Sequence, residues 1–95
     1  MTAILLAAVL CGEPPTPPRP VVICYVTESC PPCRQARRQL TEAAAALPFV
    51  VEYRESAPAW VTVYPTFHWY TGERWVQVRG WHGLDATTLA VRETR

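Results

Sequence analysis

Two cysteines separated by two prolines, Cys30-Pro31-Pro32-Cys33, are the residues of this chain whose spacing most directly permits chemistry. Thiols at this spacing can close on each other as a disulfide and pass that bond to another molecule by thiolate attack. They follow an apolar, β-branched run, Val21-Val22-Ile23-Cys24-Tyr25-Val26, and open an Ala-rich, Arg-studded stretch. A helix starting there offers unpaired backbone N–H groups and the positive end of its dipole, and both favour a thiolate at Cys30. Cys30 is therefore the candidate nucleophile and Cys33 the candidate resolving thiol. Arg34 and Arg37, one turn in, add positive potential. Pro31 and Pro32 suit the first helical positions, where no N–H is needed, but they also withhold donors that a thiolate would use.

Read as a metal motif, the same pair would supply only half of a tetrahedral zinc site. Two further ligands are required, and Cys11, Cys24, His68 and His82 stand at unpatterned spacings. A C-x-x-C beside a strand–helix pattern is instead the redox spacing, with no metal and no cofactor beyond the dithiol itself. The four cysteines do not read as a stapling framework, because strand and helix patterns are present without them.

The elements that must position the dithiol follow from periodicity. Val21 to Thr27 reads as a buried strand. From Pro31, Cys33, Ala36, Leu40, Ala43, Ala44 and Leu47 fall on one helical face, and Arg34, Arg37, Arg38 and Glu42 mostly on the other. Pro48 stops that helix. Phe49 to Arg54 is a second strand. Ser56 to Tyr64 is too short for a full helix between strands. Thr66–Tyr70 and Arg74–Arg79 read as a hairpin turning at Thr71-Gly72. Asp85 is the expected N-cap of a last helix running to about Glu93, with Leu84 and Leu89 as a hydrophobic staple. The fold class is α/β (α+β), with a central mixed sheet of four or five strands flanked by helices.

Ninety-five residues make one small domain. Nine basic and eight acidic residues nearly cancel, which argues against nucleic acid as a partner. All nine basic residues are Arg, which excludes lysine chemistry. Residues 1–12 form an apolar N-terminal segment, too short to span a bilayer as a helix. It reads equally as a secretory signal or tether and as an integral first strand. Localisation stays open between cytoplasmic and exported or membrane-tethered. Residues 13–20, Glu-Pro-Pro-Thr-Pro-Pro-Arg-Pro, are an extended linker, and residues 21–95 hold the folded domain.

With Cys-Pro-Pro-Cys after a strand, and Val63-Tyr64-Pro65-Thr66 further on, the chain resembles the thioredoxin-like family. Val22 to Cys30 resembles the family's strand into its active site, Thr71-Gly72-Glu73 its hairpin turn, and Gly80 the glycine after its last strand. The resemblance covers residues 21–93. It implies a compact thioredoxin-like fold and thiol–disulfide exchange on protein disulfides. It also implies a cis Pro65 facing the dithiol, with the backbone of Tyr64 pairing with the client chain. Tyr64, Pro65 and Trp81 are then substrate-binding candidates. The implied partners are disulfide-bonded client proteins and an electron donor such as a thioredoxin reductase or a membrane reductant, with the protein a monomer.

Three departures qualify the resemblance. Cys24 stands where the family usually carries a buried aspartate that shuttles a proton to the second thiol. It reads as a small buried core residue, leaving Glu28 as the nearest carboxylate by sequence. Ser29 replaces the tryptophan that normally precedes the first cysteine. The segment from Cys33 to Pro65 is short, so the helix between the middle strands is missing or reduced to a turn. The aromatic residues Trp60, Tyr64, Trp69, Trp75 and Trp81 are expected mostly to fill the core so thinned, with Trp60, Tyr64 and Trp81 on loops flanking the dithiol. Two alternatives remain, a non-catalytic binding module of the same fold and a glutaredoxin-like glutathione-dependent reductase.

Overall fold

The computed structural model describes residues 19–94. The apolar segment 1–12 and residues 13–18 of the linker lie outside the described residues, as does Arg95. The described chain is an α+β domain in the order β1 (Val21–Tyr25), α1 (Pro31–Glu42), β2 (Val50–Arg54), β3 (Thr66–Tyr70), β4 (Trp75–Arg79) and α2 (Leu84–Glu93). Among the described residues no helix is long and apolar enough to cross a membrane.

The strands form one mixed sheet in the order β2-β1-β3-β4. β1 pairs with β2 in parallel and with β3 antiparallel, and β3 pairs with β4 as the expected hairpin. The parallel ladder runs past both strand ends, through Val50 N–H to the Pro20 carbonyl at 2.9 Å and Val26 N–H to the Arg54 carbonyl at 3.0 Å. Between β2 and β3, residues 55–65 contain no helix.

Strand alternation decides what each face of the sheet carries. Val22 and Cys24 of β1 lie level with Val51 and Tyr53 of β2 and with Trp69 and Phe67 of β3. These side chains meet Cys33, Ala36 and Leu40 of α1 and Val91 of α2 in a single hydrophobic core. Both helices therefore cover the same face. The indole N–H of Trp69 donates to Thr94 Oγ1 at 2.9 Å, which pins the end of α2 to the core strand β3.

The opposite face has no helix, and Trp60 and Trp75, expected among the core aromatics, lie there, whereas Trp69 fills the core and Tyr64 and Trp81 pack against it. Tyr25, Trp60, His68, Trp75 and Tyr70 form a continuous ladder, with successive ring centroids 5.9, 4.8, 4.5 and 5.5 Å apart. Trp60 is 42% exposed and Trp75 57%. The segment between β2 and β3 is too short to lay a helix over this face, so aromatic stacking replaces burial there.

Two helix ends differ from expectation. α1 closes at Glu42, with Ala43 as its C-cap and a 3₁₀ turn at Ala44–Ala46, well before Pro48. The Arg19 guanidinium donates to the carbonyls of Ala44 (3.3 Å) and Leu47 (3.2 Å), tying the start of the described chain to the 3₁₀ turn. In α2 the N-cap is Gly83, not Asp85. Gly83 sits at φ 100°, a conformation that glycine adopts without a steric cost. Asp85 falls in the first turn, where its charge still suits the dipole. The expected staple does not form, because Leu84 packs on the core while Leu89 is 53% exposed.

Candidate functional site

β1 ends at Tyr25, and the turn after it delivers the chain to Cys30, the N-cap of α1. Cys30 keeps an extended backbone (φ −110°, ψ 103°), and Pro31 and Pro32 occupy the first two helical positions. Because neither proline has an N–H, Cys33 supplies the first side-chain-directed donor of the helix. Its backbone N–H donates to Cys30 Sγ at 3.2 Å. The helix ladder begins one residue on, with Arg34 N–H donating to the Cys30 carbonyl at 3.2 Å.

Cys30 and Cys33 are joined as a disulfide, with Cα atoms 5.1 Å apart. The pair is asymmetric. Cys30 is half-buried, whereas Cys33 is 2% exposed and belongs to the core. An incoming disulfide can therefore reach Cys30 and not Cys33.

The wall facing Cys30 comes from the segment before β3. The Tyr64–Pro65 peptide bond is cis, and the Tyr64 carbonyl oxygen lies 3.5 Å from Cys30 Sγ. In the disulfide the sulfur has no proton to give, so this is a sulfur–oxygen approach. In the reduced form the same geometry lets the Cys30 thiol donate to Tyr64. Pro65 is buried, and its carbonyl accepts the Gly80 N–H at 2.7 Å, which ties the wall to the end of β4. Thr66 Oγ1 closes the turn by donating to the Val63 carbonyl.

The remaining expected site residues divide. Trp81 packs tilted on Phe67, with ring centroids 6.0 Å apart, and is partly buried against the core. Trp60 belongs to the aromatic ladder on the helix-free face. Arg34 donates to the Glu28 carbonyl at 3.2 Å and so braces the turn that carries the dithiol. Arg37 lies over the Tyr53 ring, 4.6 Å from its centroid, and is directed toward β2. His82 caps the end of β4 through Nε2, 2.7 Å from the Arg79 carbonyl. Among the described residues no group of three or more His, Cys, Asp or Glu side chains converges as a metal site.

Cys24 is fully buried, as its sequence context implied. Burial pushes its thiol up to about 12, and the Arg37 charge only partly offsets this. At neutral pH it is an uncharged core thiol and not a proton acceptor. Burial also raises the Tyr53 phenol beside it, against the lowering effects of Thr41 and Arg37.

One neighbour escapes sequence inspection. A cavity of about 100 Å³ reaches the buried Cys33 and is lined by Glu28 and Glu55 together with Arg34 and Arg37. Glu55 directly follows β2. Parallel strands end on the same side, so the residue after β2 falls beside the turn after β1.

Compared with known proteins, the chain matches no family model, no curated protein and no solved structure.

Proposed function

We infer that the protein is a thiol–disulfide oxidoreductase of thioredoxin type, acting on protein disulfides. The observation carrying this reading is the environment of Cys30, an accessible sulfur at a helix N-terminus with a backbone donor at 3.2 Å and a backbone carbonyl at 3.5 Å. The donor and the helix dipole favour the thiolate. On this reading the client chain pairs with the backbone of Tyr64, in the bend before β3. The sheet order with its antiparallel hairpin, the cis Pro65 and the C-x-x-C at the strand–helix junction all agree with a shortened thioredoxin-like fold.

In the exchange, the Cys30 thiolate attacks one sulfur of the client disulfide. A Cys30–client bond forms, and the client's other sulfur leaves as a thiolate. The Cys33 thiolate then attacks Cys30 Sγ, closing the Cys30–Cys33 bond and releasing the second client thiolate. The dithiol loses two electrons and two protons, and the client gains them. A donor dithiol, of the reductase class or in a membrane, restores the reduced form. Run backwards, the same steps oxidise a client.

Insulin reduction by dithiothreitol tests the reading. The wild type should accelerate precipitation of the released insulin chain, and Cys30→Ser should show only the background rate. Equal rates for the two proteins would sink it.

A further inference from the structure

Cys33 has a proton-transfer problem that the structure poses sharply. To resolve a mixed disulfide it must lose its proton, yet it is 2% exposed and packed in the apolar core. The core cluster it belongs to consists of apolar side chains and the uncharged thiol of Cys24. None accepts a proton at neutral pH. Its polar boundary is the cavity of about 100 Å³ beneath the turn. One water occupies roughly 10–15 Å³ on this measure, so the cavity has room for several.

That cavity is lined by two carboxylates and two guanidiniums. Among the described residues neither Glu28 nor Glu55 has an ion-pair partner, since the salt bridge found there joins Glu52 to Arg54. Arg34 and Arg37 supply positive charge that favours a thiolate at Cys33.

We propose that this cavity is the proton port of Cys33, with the Glu28 and Glu55 carboxylates as the acceptors. The proposal rests on the exchange reading above. The Cys33 proton passes through cavity water to one carboxylate. The Cys33 thiolate attacks Cys30 Sγ, the Cys30–client bond breaks and the client sulfur leaves as a thiolate. The protonated carboxyl then gives its proton to solvent or to the departing thiolate, and the charges balance. Glu28 and Glu55 act through water and are positioning residues for the proton. The other titratable or charged groups of the core and cavity around Cys33 are Cys30 in the turn, Arg34 and Arg37 of α1, Cys24 of β1, Tyr53 of β2 and Tyr64 before β3. α2 contributes Val91 and Thr87, neither of which titrates.

The test uses the full reduced chain and 5,5′-dithiobis(2-nitrobenzoate). Attack by Cys30 releases a first coloured thiolate, and attack by Cys33 on the mixed disulfide releases a second. Rapid mixing separates the two rates. In the Glu28→Gln, Glu55→Gln double variant the second rate should fall at least tenfold at pH 7, with the first rate unchanged. The deficit should close at alkaline pH, where hydroxide takes the proton. Each single variant should show a part of the loss, and Glu55→Asp should recover most of the Glu55 share. A second rate that matches wild type from pH 5 to 9 overturns the proposal. So does a deficit of equal size at every pH, which marks a structural perturbation. A wild type that gives no second release loses the exchange reading as well, so the two failures are told apart.

Discussion

The backbone N–H of Cys33 donates to Cys30 Sγ at 3.2 Å, so the sulfur of one active cysteine caps the helix that holds the other. This is the role that a serine or aspartate oxygen usually plays at an N-cap. It links local structure to reactivity, because the same N–H that is satisfied in the folded helix offsets negative charge on the attacking sulfur. The relation predicts a difference between two substitutions that abolish the disulfide equally. Cys30→Ser keeps an acceptor for the Cys33 N–H, and Cys30→Ala does not. The alanine variant should be less stable than the serine variant by about 1 kcal/mol in urea unfolding. Equal midpoints would show that the sulfur does not cap the helix.

Cys24 should make the protein sensitive to alkali. Its thiol rises from an ordinary 9.0 to about 12, chiefly through burial. The unfolded chain gives up this proton near its ordinary value while the folded chain retains it. Between those values the unfolded state binds fewer protons, so stability is intact below about pH 9 and drains away toward pH 12. At 1.36 kcal/mol per unit the full loss is about 4 kcal/mol. Tyr53 shifts in the same direction, but it is present in wild type and variant alike. Urea unfolding of the oxidised protein at pH 8 and 10.5 should show a smaller fall for Cys24→Ala than for wild type. Parallel falls would mean that the buried thiol ionises without penalty.

Residues with local consequences were legible in the sequence, and long-range coverage was not. The β-branched run from Val21 read as a buried strand with Cys24 as a small core residue, and the structure buries Val22 and Cys24 fully. The helical period put Cys33, Ala36 and Leu40 inside. The dithiol's place at a strand–helix junction needed only the flanking patterns. Alternation says which side chains share a face, however, and not whether anything lies over that face. The aromatic residues were therefore expected mostly in a core; Trp69 is there, and Tyr64 and Trp81 pack against it, but Trp60 and Trp75 stand on an open face. Gly83 displaced Asp85 as N-cap through a backbone angle that no side-chain pattern encodes. Glu55 joined the Cys33 cavity through strand pairing, a relation invisible until the parallel register is known.

His68 should set an acid-side limit to stability. Its ring lies between Trp60 and Trp75, stacked on the latter at 4.5 Å, and its Nδ1 is buried without a hydrogen-bond partner among the described residues. Two effects compete on protonation. The Trp75 face, on which the ring stacks, attracts an imidazolium by roughly 0.5–1 kcal/mol. Burial opposes the charge and leaves a buried N–H unpaired, at roughly 1–3 kcal/mol. Desolvation wins, and His68 titrates below its ordinary 6.5. The unfolded chain therefore binds this proton first as pH falls. The stabilising contribution is complete above the ordinary value and is lost as pH drops through the lowered one. His68→Phe keeps a ring for Trp75 to stack on while removing both the titration and the unpaired nitrogen. Denaturant midpoints measured from pH 7.5 to 4.5 should fall less steeply for His68→Phe than for wild type, and an NMR titration of His68 should give a midpoint below 6.5. A midpoint above that value would mean that attraction to the Trp75 face outweighs burial, and that the aromatic ladder favours a cation in its middle.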